Sequence, residues 1–259
     1  MFYNCIIIII IFLYYHYNNI NRIYYHYNNI NRIYDYDIVC APGGNYGFYM
    51  LGICHFIKNN YNIKDKKIIG FSAGSFITIF LSLKNELLNI LLLNIFKYKI
   101  YCNTDIKTNL LSIKNNFLET IKINDLDLNN KSIGITNNNL TLNIIDNFVS
   151  VKDIMDACIG SSFVPYITYS DVLYFYRGKC CIDGGIVYYK ILKKKIKKNK
   201  KKILIISYEM FNRWKGGFIK GLKKKNISSY DLYILGYHDA LKHKKILDNY
   251  LMKNNEKII

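Results

Sequence analysis

Apolar residues along this chain fall into short runs broken by Gly, Asn and Lys, and the spacing within each run predicts its element. Residues 34–40, YDYDIVC, read as a first strand that runs into Ala41, Pro42, Gly43, Gly44, Asn45, Tyr46 and Gly47. FYMLGICHFI follows, with Met50, Leu51, Cys54 and Ile57 spaced to share one helical face. From Lys67 to Leu83, KIIGFSAGSFITIFLSL reads as a short buried strand, a sharp turn and an apolar helix beginning near Ala73. Residues 84–125 alternate Leu, Ile, Asn and Lys in a manner that suits two or three helices. Lys131 to Thr136 and Leu140 to Ile145 predict a strand pair joined across Asn137, Asn138 and Asn139. VKDIMDACIGSSFVPYI, from Val151, predicts a helix that ends near Gly160 in a loop held by Pro165. GKCCIDGGIVYY, from Gly178, gives another short strand and delivers Asp183 to a turn of Gly184 and Gly185. Ile203 to Ile206 form a strand, and an amphipathic helix starts at Tyr230.

Three stretches depart from this pattern. Residues 5–15, CIIIIIIFLYY, are apolar but shorter than the roughly 20 residues that a membrane-crossing helix needs. With no basic segment before it and no small-residue cleavage site, the run is a poor secretory signal. A membrane-inserted anchor and a misplaced start codon both fit it, and the reading leans to membrane association. YYHYNNINRI then occurs at 14–23 and again at 24–33, too few copies for a solenoid, so it reads as a low-complexity linker. The folded domain is therefore placed at 34–259, after an N-terminal segment 1–33. The last stretch, KILKKKIKKNKKK from Lys190 to Lys202, is either a solvated face or a set of point charges for anionic headgroups.

Length and charge bound the possibilities. At 259 residues, the chain suits one large α/β domain with a buried sheet. A net charge of +18 favours an anionic partner, a phospholipid surface or a nucleic acid, although Ile, Lys, Asn and Tyr crowding also follows from AT-rich coding. The lysines come with no recognised nucleic-acid module, so no nucleic acid is expected. Seven cysteines, odd in number and without a C-x-x-C pair, indicate neither a zinc site nor a complete disulfide framework; an intracellular, reducing compartment is the simpler reading. The five histidines form no metal constellation.

The candidate chemistry centres on G-F-S-A-G. Gly70 and Gly74 flank Ser72 where a strand turns at once into a helix, and a Cβ at either place would meet the neighbouring chain. The turn exposes the Ser72 hydroxyl to the helix N-terminus, whose free amide groups favour a developing oxyanion. A Gly-flanked serine in an ordinary turn remains the bland alternative. The strand, Gly-rich turn and helix at Gly43, Gly44 and Gly47 can likewise present N–H groups to an anion. A mononucleotide-binding turn is disfavoured there, since no G-x-x-x-x-G-K-[ST] occurs and no third glycine has the dinucleotide spacing. Asp183 before Gly184 and Gly185 is either a carboxylate brought close to another segment or a turn residue bonded to its own backbone.

Taken in order, GGNYGFYMLG, GFSAG and DGG, with DACIGSSFVP between the last two, resemble the patatin-like phospholipase family. The resemblance covers about residues 37 to 190. It implies a three-layer α/β/α sandwich with a mostly parallel central sheet, and a lipid acyl hydrolase with a Ser-Asp dyad and no histidine in the active site. Ser72 would be the nucleophile and Asp183 its base. Gly43, Gly44 and Asn45 would form the oxyanion hole, within the motif glycines Gly47, Gly70, Gly74, Gly184 and Gly185. Pro42 stands where the family has a third glycine and cannot donate an N–H, and Tyr46 stands where the family commonly has Arg or Lys. The implied chemistry needs no metal, nucleotide or redox cofactor. Its substrate would be a phospholipid or glycerolipid ester at a membrane surface.

Two other readings compete. A Ser-Asp-His triad would use His238 as base and Asp183 to orient it. A catalytically silent protein that keeps the fold and binds membranes would explain Pro42, Tyr46 and the basic run together.

Overall fold

The computed structural model describes residues 32–97, 106–168, 171–189, 202–212 and 227–252. The apolar run 5–15, nearly all of the duplicated segment and residues 190–201 of the basic run lie outside the described residues, as do Cys5 and Cys102.

A central sheet carries the fold. Its strands are β1 (Ile38–Cys40), β2 (Ile68–Phe71), β3 (Lys131–Asn137), β4 (Leu142–Ile145), β5 (Tyr174–Tyr176), β6 (Lys179–Ile182) and β7 (Leu204–Ile206). They run β5-β6-β3-β2-β1-β7 across this seven-stranded sheet, and β4 also pairs with β3. β7, β1, β2 and β3 are mutually parallel, while β4, β5 and β6 extend the β3 side in antiparallel fashion. The parallel strands explain the short, unbroken apolar runs. Ile38 and Cys40 enter the larger core while Val39 and Ala41 enter a smaller one, so both faces demand apolar residues.

Helices flank the sheet in a three-layer α/β/α arrangement. On the larger-core side lie α1 (Gly47–Asn60), α2 (Ala73–Ser82), α3 (Asn85–Lys97), α4 (Ile106–Thr120), α5 (Val151–Ser161), α6 (Ser229–Lys242) and α7 (Lys244–Leu251). On the other face, among the described residues, a 3-10 turn at Arg32–Asp35 and a helical turn at Gly185–Val187 cover Val39, Ile69 and Phe71. Ile33, the last residue of the duplication, is fully buried there. Among the described residues, no helix is long and apolar enough to cross a membrane.

The elements follow their expected order, with local differences. The described residues of 84–125 include α3, α4 and a 3-10 turn at Ile123–Asp125. The predicted C-terminal helix is two, because it breaks at His243, whose ring stacks on Phe211 at 4.6 Å. α1 and α6 pack backbone to backbone: a Cβ on Gly52 would lie 1.9 Å from the Tyr233 carbonyl oxygen, and one on Gly236 would lie 1.9 Å from that of Tyr49.

Candidate active site

β2 ends at Phe71 and α2 begins at Ala73, which leaves Ser72 alone to turn the chain. It does so at φ 54° and ψ −127°, a region that a non-glycine residue occupies only at a cost of about 1–3 kcal/mol. The flanking glycines make this possible. A Cβ on Gly70 would lie 2.1 Å from the Gly74 carbonyl oxygen and 2.4 Å from Thr78 Oγ1, and one on Gly74 would lie 2.1 Å from the Cys40 carbonyl oxygen. Strand and helix therefore touch through bare backbone, as the G-F-S-A-G spacing predicts. Hydrogen bonds hold the turn in place. The Ser72 N–H donates to Ser161 Oγ at 2.9 Å, and the Ser72 carbonyl accepts from the Ser75 N–H at 2.9 Å and from Ser75 Oγ at 2.6 Å.

Asp183 follows β6 and is fastened at both backbone groups. Its N–H donates to the Phe163 carbonyl at 2.9 Å, and its carbonyl accepts from Thr136 Oγ1 at 2.9 Å. The carboxylate reaches Ser72: the Ser72 hydroxyl donates to Asp183 Oδ2 at 2.7 Å, across 111 positions of sequence. Oδ1 accepts the Gly185 N–H at 2.6 Å. The two glycines after Asp183 clear the space for this approach. A Cβ on Gly184 would lie 2.3 Å from the Gly134 carbonyl oxygen, and one on Gly185 would lie 2.6 Å from Asp183 Oδ1 itself. Burial pushes the Asp183 carboxyl up to about 7, while the bonds from Ser72 and Gly185 pull it back down. Such a carboxyl can take and return a proton near neutral pH, which a solvated aspartate does poorly.

Ser72 and Asp183 lie on the floor of a cleft. Its walls carry Phe48, Leu51, Phe76, Ile77, Phe80, Ile95, Ile106, Leu110 and Ile113, with Gly44, Asn45, Gly47, Ala73, Asn109, Ser162 and Thr168 among the remaining lining residues. Helices α1, α2, α3 and α4 thus supply an apolar channel that ends at a polar floor. Gly44, at φ 53°, and Asn45 border it, and their N–H groups make no hydrogen bond with another described residue. Gly43 does not line the cleft. It turns inward, and a Cβ there would lie 2.8 Å from Met50 Sδ. Of the three residues expected to form an oxyanion hole, Gly44 and Asn45 line the cleft. Gly47 has a different reason to be glycine, since its Cβ would lie 3.0 Å from Ala73 Cβ.

The other singled-out residues fall elsewhere. Tyr46 is buried under the turn, stacked on Tyr208 at 4.9 Å, and does not line the cleft. His238 is exposed on α6, and among the described residues both oxygens of Asp183 are taken by Ser72 and Gly185. Sequence reasoning gave Ser161 and Ser162 no role of their own, quoting them only within the helix end DACIGSSFVP. Ser161 Oγ donates to the Gly134 carbonyl at 2.8 Å and accepts from the Ser72 N–H, while its carbonyl accepts the Gly184 N–H at 2.8 Å. One serine thereby ties together β3, the Ser72 turn and the Asp183 turn. Adjacent serines closing an apolar helix at Gly160 were the available signal.

No family model matches the chain, and no curated protein matches it significantly. Fold and site together define an α/β protein in which a buried serine and a buried carboxyl share a hydrogen bond beneath an apolar cleft.

Proposed function

We propose that the protein is a lipid acyl hydrolase of the patatin-like kind, cleaving carboxylic esters of phospholipids or glycerolipids at a membrane surface. The observation that carries the reading is the 2.7 Å bond from the Ser72 hydroxyl to Asp183 at the floor of an apolar cleft. Nine aliphatic and aromatic side chains suit an acyl chain, and they would bury its methylenes at about 0.8 kcal/mol each. The ordered motifs from Gly43 to Gly185 give the same reading independently.

The reaction follows from these groups. Asp183 accepts the proton of Ser72 as Oγ attacks the ester carbonyl, forming the new C–O bond. The carbonyl oxygen becomes an oxyanion and accepts hydrogen bonds from the Gly44 and Asn45 N–H groups, each donor typically worth about 3 kcal/mol of barrier. The C–O bond to the alcohol then breaks, and Asp183 delivers its proton to the departing alkoxide. Water attacks the acyl-enzyme and gives a proton to Asp183. Collapse frees the fatty acid and returns the proton to Ser72.

A fluorophosphonate tests this directly. Intact mass spectrometry is expected to record one adduct per chain, mapping to Ser72, with none on the Ser72→Ala variant. A wild-type chain that stays unmodified, or carries its adduct elsewhere, overturns the reading.

A further inference from the structure

Ser162 is 95% buried, borders the cleft beside Ser72 and Asp183, and has a hydroxyl oxygen with no hydrogen-bond partner among the described residues. Its backbone is accounted for, because the Ser162 N–H donates to the Cys158 and Ile159 carbonyls at the end of α5. The neighbouring Ser161 hydroxyl, by contrast, has two partners. A buried hydroxyl left without a partner destabilises the fold, and such groups persist where a ligand completes them.

Resting on the acyl-hydrolase reading, we infer that Ser162 is a further, side-chain oxyanion donor, its hydroxyl bonding the carbonyl oxygen of the bound ester as negative charge develops there. The chemistry leaves this role open. Asp183 handles the protons of nucleophile, leaving group and water, and Pro42, before the Gly44 turn, has no N–H to give. The Ser72 N–H is committed to Ser161. Backbone donors come from the N–H groups of Gly44 and Asn45 and the free amides at the start of α2, and the Ser162 hydroxyl, on the same cleft lining, adds a side-chain donor.

The test compares wild type, Ser162→Ala and Ser162→Cys in the full chain, using the phosphonylation rate of Ser72 and the hydrolysis of a soluble acyl ester. Both variants are expected to lose roughly 10²- to 10³-fold in kcat and in phosphonylation rate, with KM changed less than about threefold. Ser162→Ala is also expected to keep its Tm or raise it by about 2–4 °C, since it deletes an unpaired buried hydroxyl. A merely structural serine would give the reverse, lower Tm with unchanged kcat per folded molecule. The inference is overturned if either folded variant keeps kcat within about twofold of wild type, or if Ser162→Ala lowers Tm. Failure of the underlying reading looks different: the wild-type chain itself would go unlabelled at Ser72.

Discussion

Burial pushes the Asp183 carboxyl up to about 7, which bears on the proposed reaction and on stability. The base must be ionised to accept the Ser72 proton, so kcat/KM is expected to rise with pH through about 7 and then level off. Asp183→Asn should lower kcat by about 10²- to 10⁴-fold and abolish that rise. Stability runs the other way. The folded-state value lies above the ordinary 3.8, so the carboxyl's contribution is fully present below about pH 4 and is lost as pH rises through about 7. That shift corresponds to on the order of 4 kcal/mol. Asp183→Asn should therefore gain Tm on wild type between pH 5 and pH 8; a difference that stays constant with pH contradicts the buried ionisable carboxyl. Ser72 and Asp183 were legible in the sequence because each sits against glycines that serve one geometry, a backbone contact closer than a Cβ allows. Ser161 and Ser162 were not, because a serine's role depends on which hydroxyl finds a partner, and the partners at Gly134 and Ser72 lie 27 and 89 positions away. The difference between Gly43 and Gly44 was not legible for a related reason: adjacent glycines in a turn look alike until Met50 packs on one of them.

Element by element, hydrophobic spacing located most of the helices and strands but not how they meet. The α1 and α6 crossing depends on Gly52 and Gly236, whose Cβ positions would fall on the partner helix's backbone carbonyls. Neither glycine belongs to a turn, so nothing local marks them. Gly236→Ala gains helix propensity of about 1 kcal/mol yet must push two backbones apart, a change that typically costs 1–3 kcal/mol or more. We expect a net loss of stability in urea denaturation; an unchanged or higher midpoint would contradict the close crossing. The sheet was legible only in part. Continuous apolar runs at β1, β2 and β7 signal strands buried on both faces, whereas β5 and β6 are short and half-exposed, held by pairing with β3 that no periodicity announces.

At the scale of the whole molecule, 36 lysines and arginines face 18 acidic residues. A net charge of +18 favours anionic partners at long range, and any such attraction weakens as added salt shortens the screening length from about 10 Å at 0.1 M. The cleft has the complementary property, an apolar channel leading to one serine and one carboxyl. Together they suit the proposed function, a hydrolase that would meet its ester substrate at a charged lipid layer. The most direct measurement is fatty acid release from phospholipid vesicles, anionic or zwitterionic, by wild type and Ser72→Ala. The account expects release by wild type that is faster on anionic vesicles and falls as salt rises from about 0.05 to 0.5 M, with none by Ser72→Ala. Equal release by the two proteins, or none by wild type on either vesicle, would contradict it.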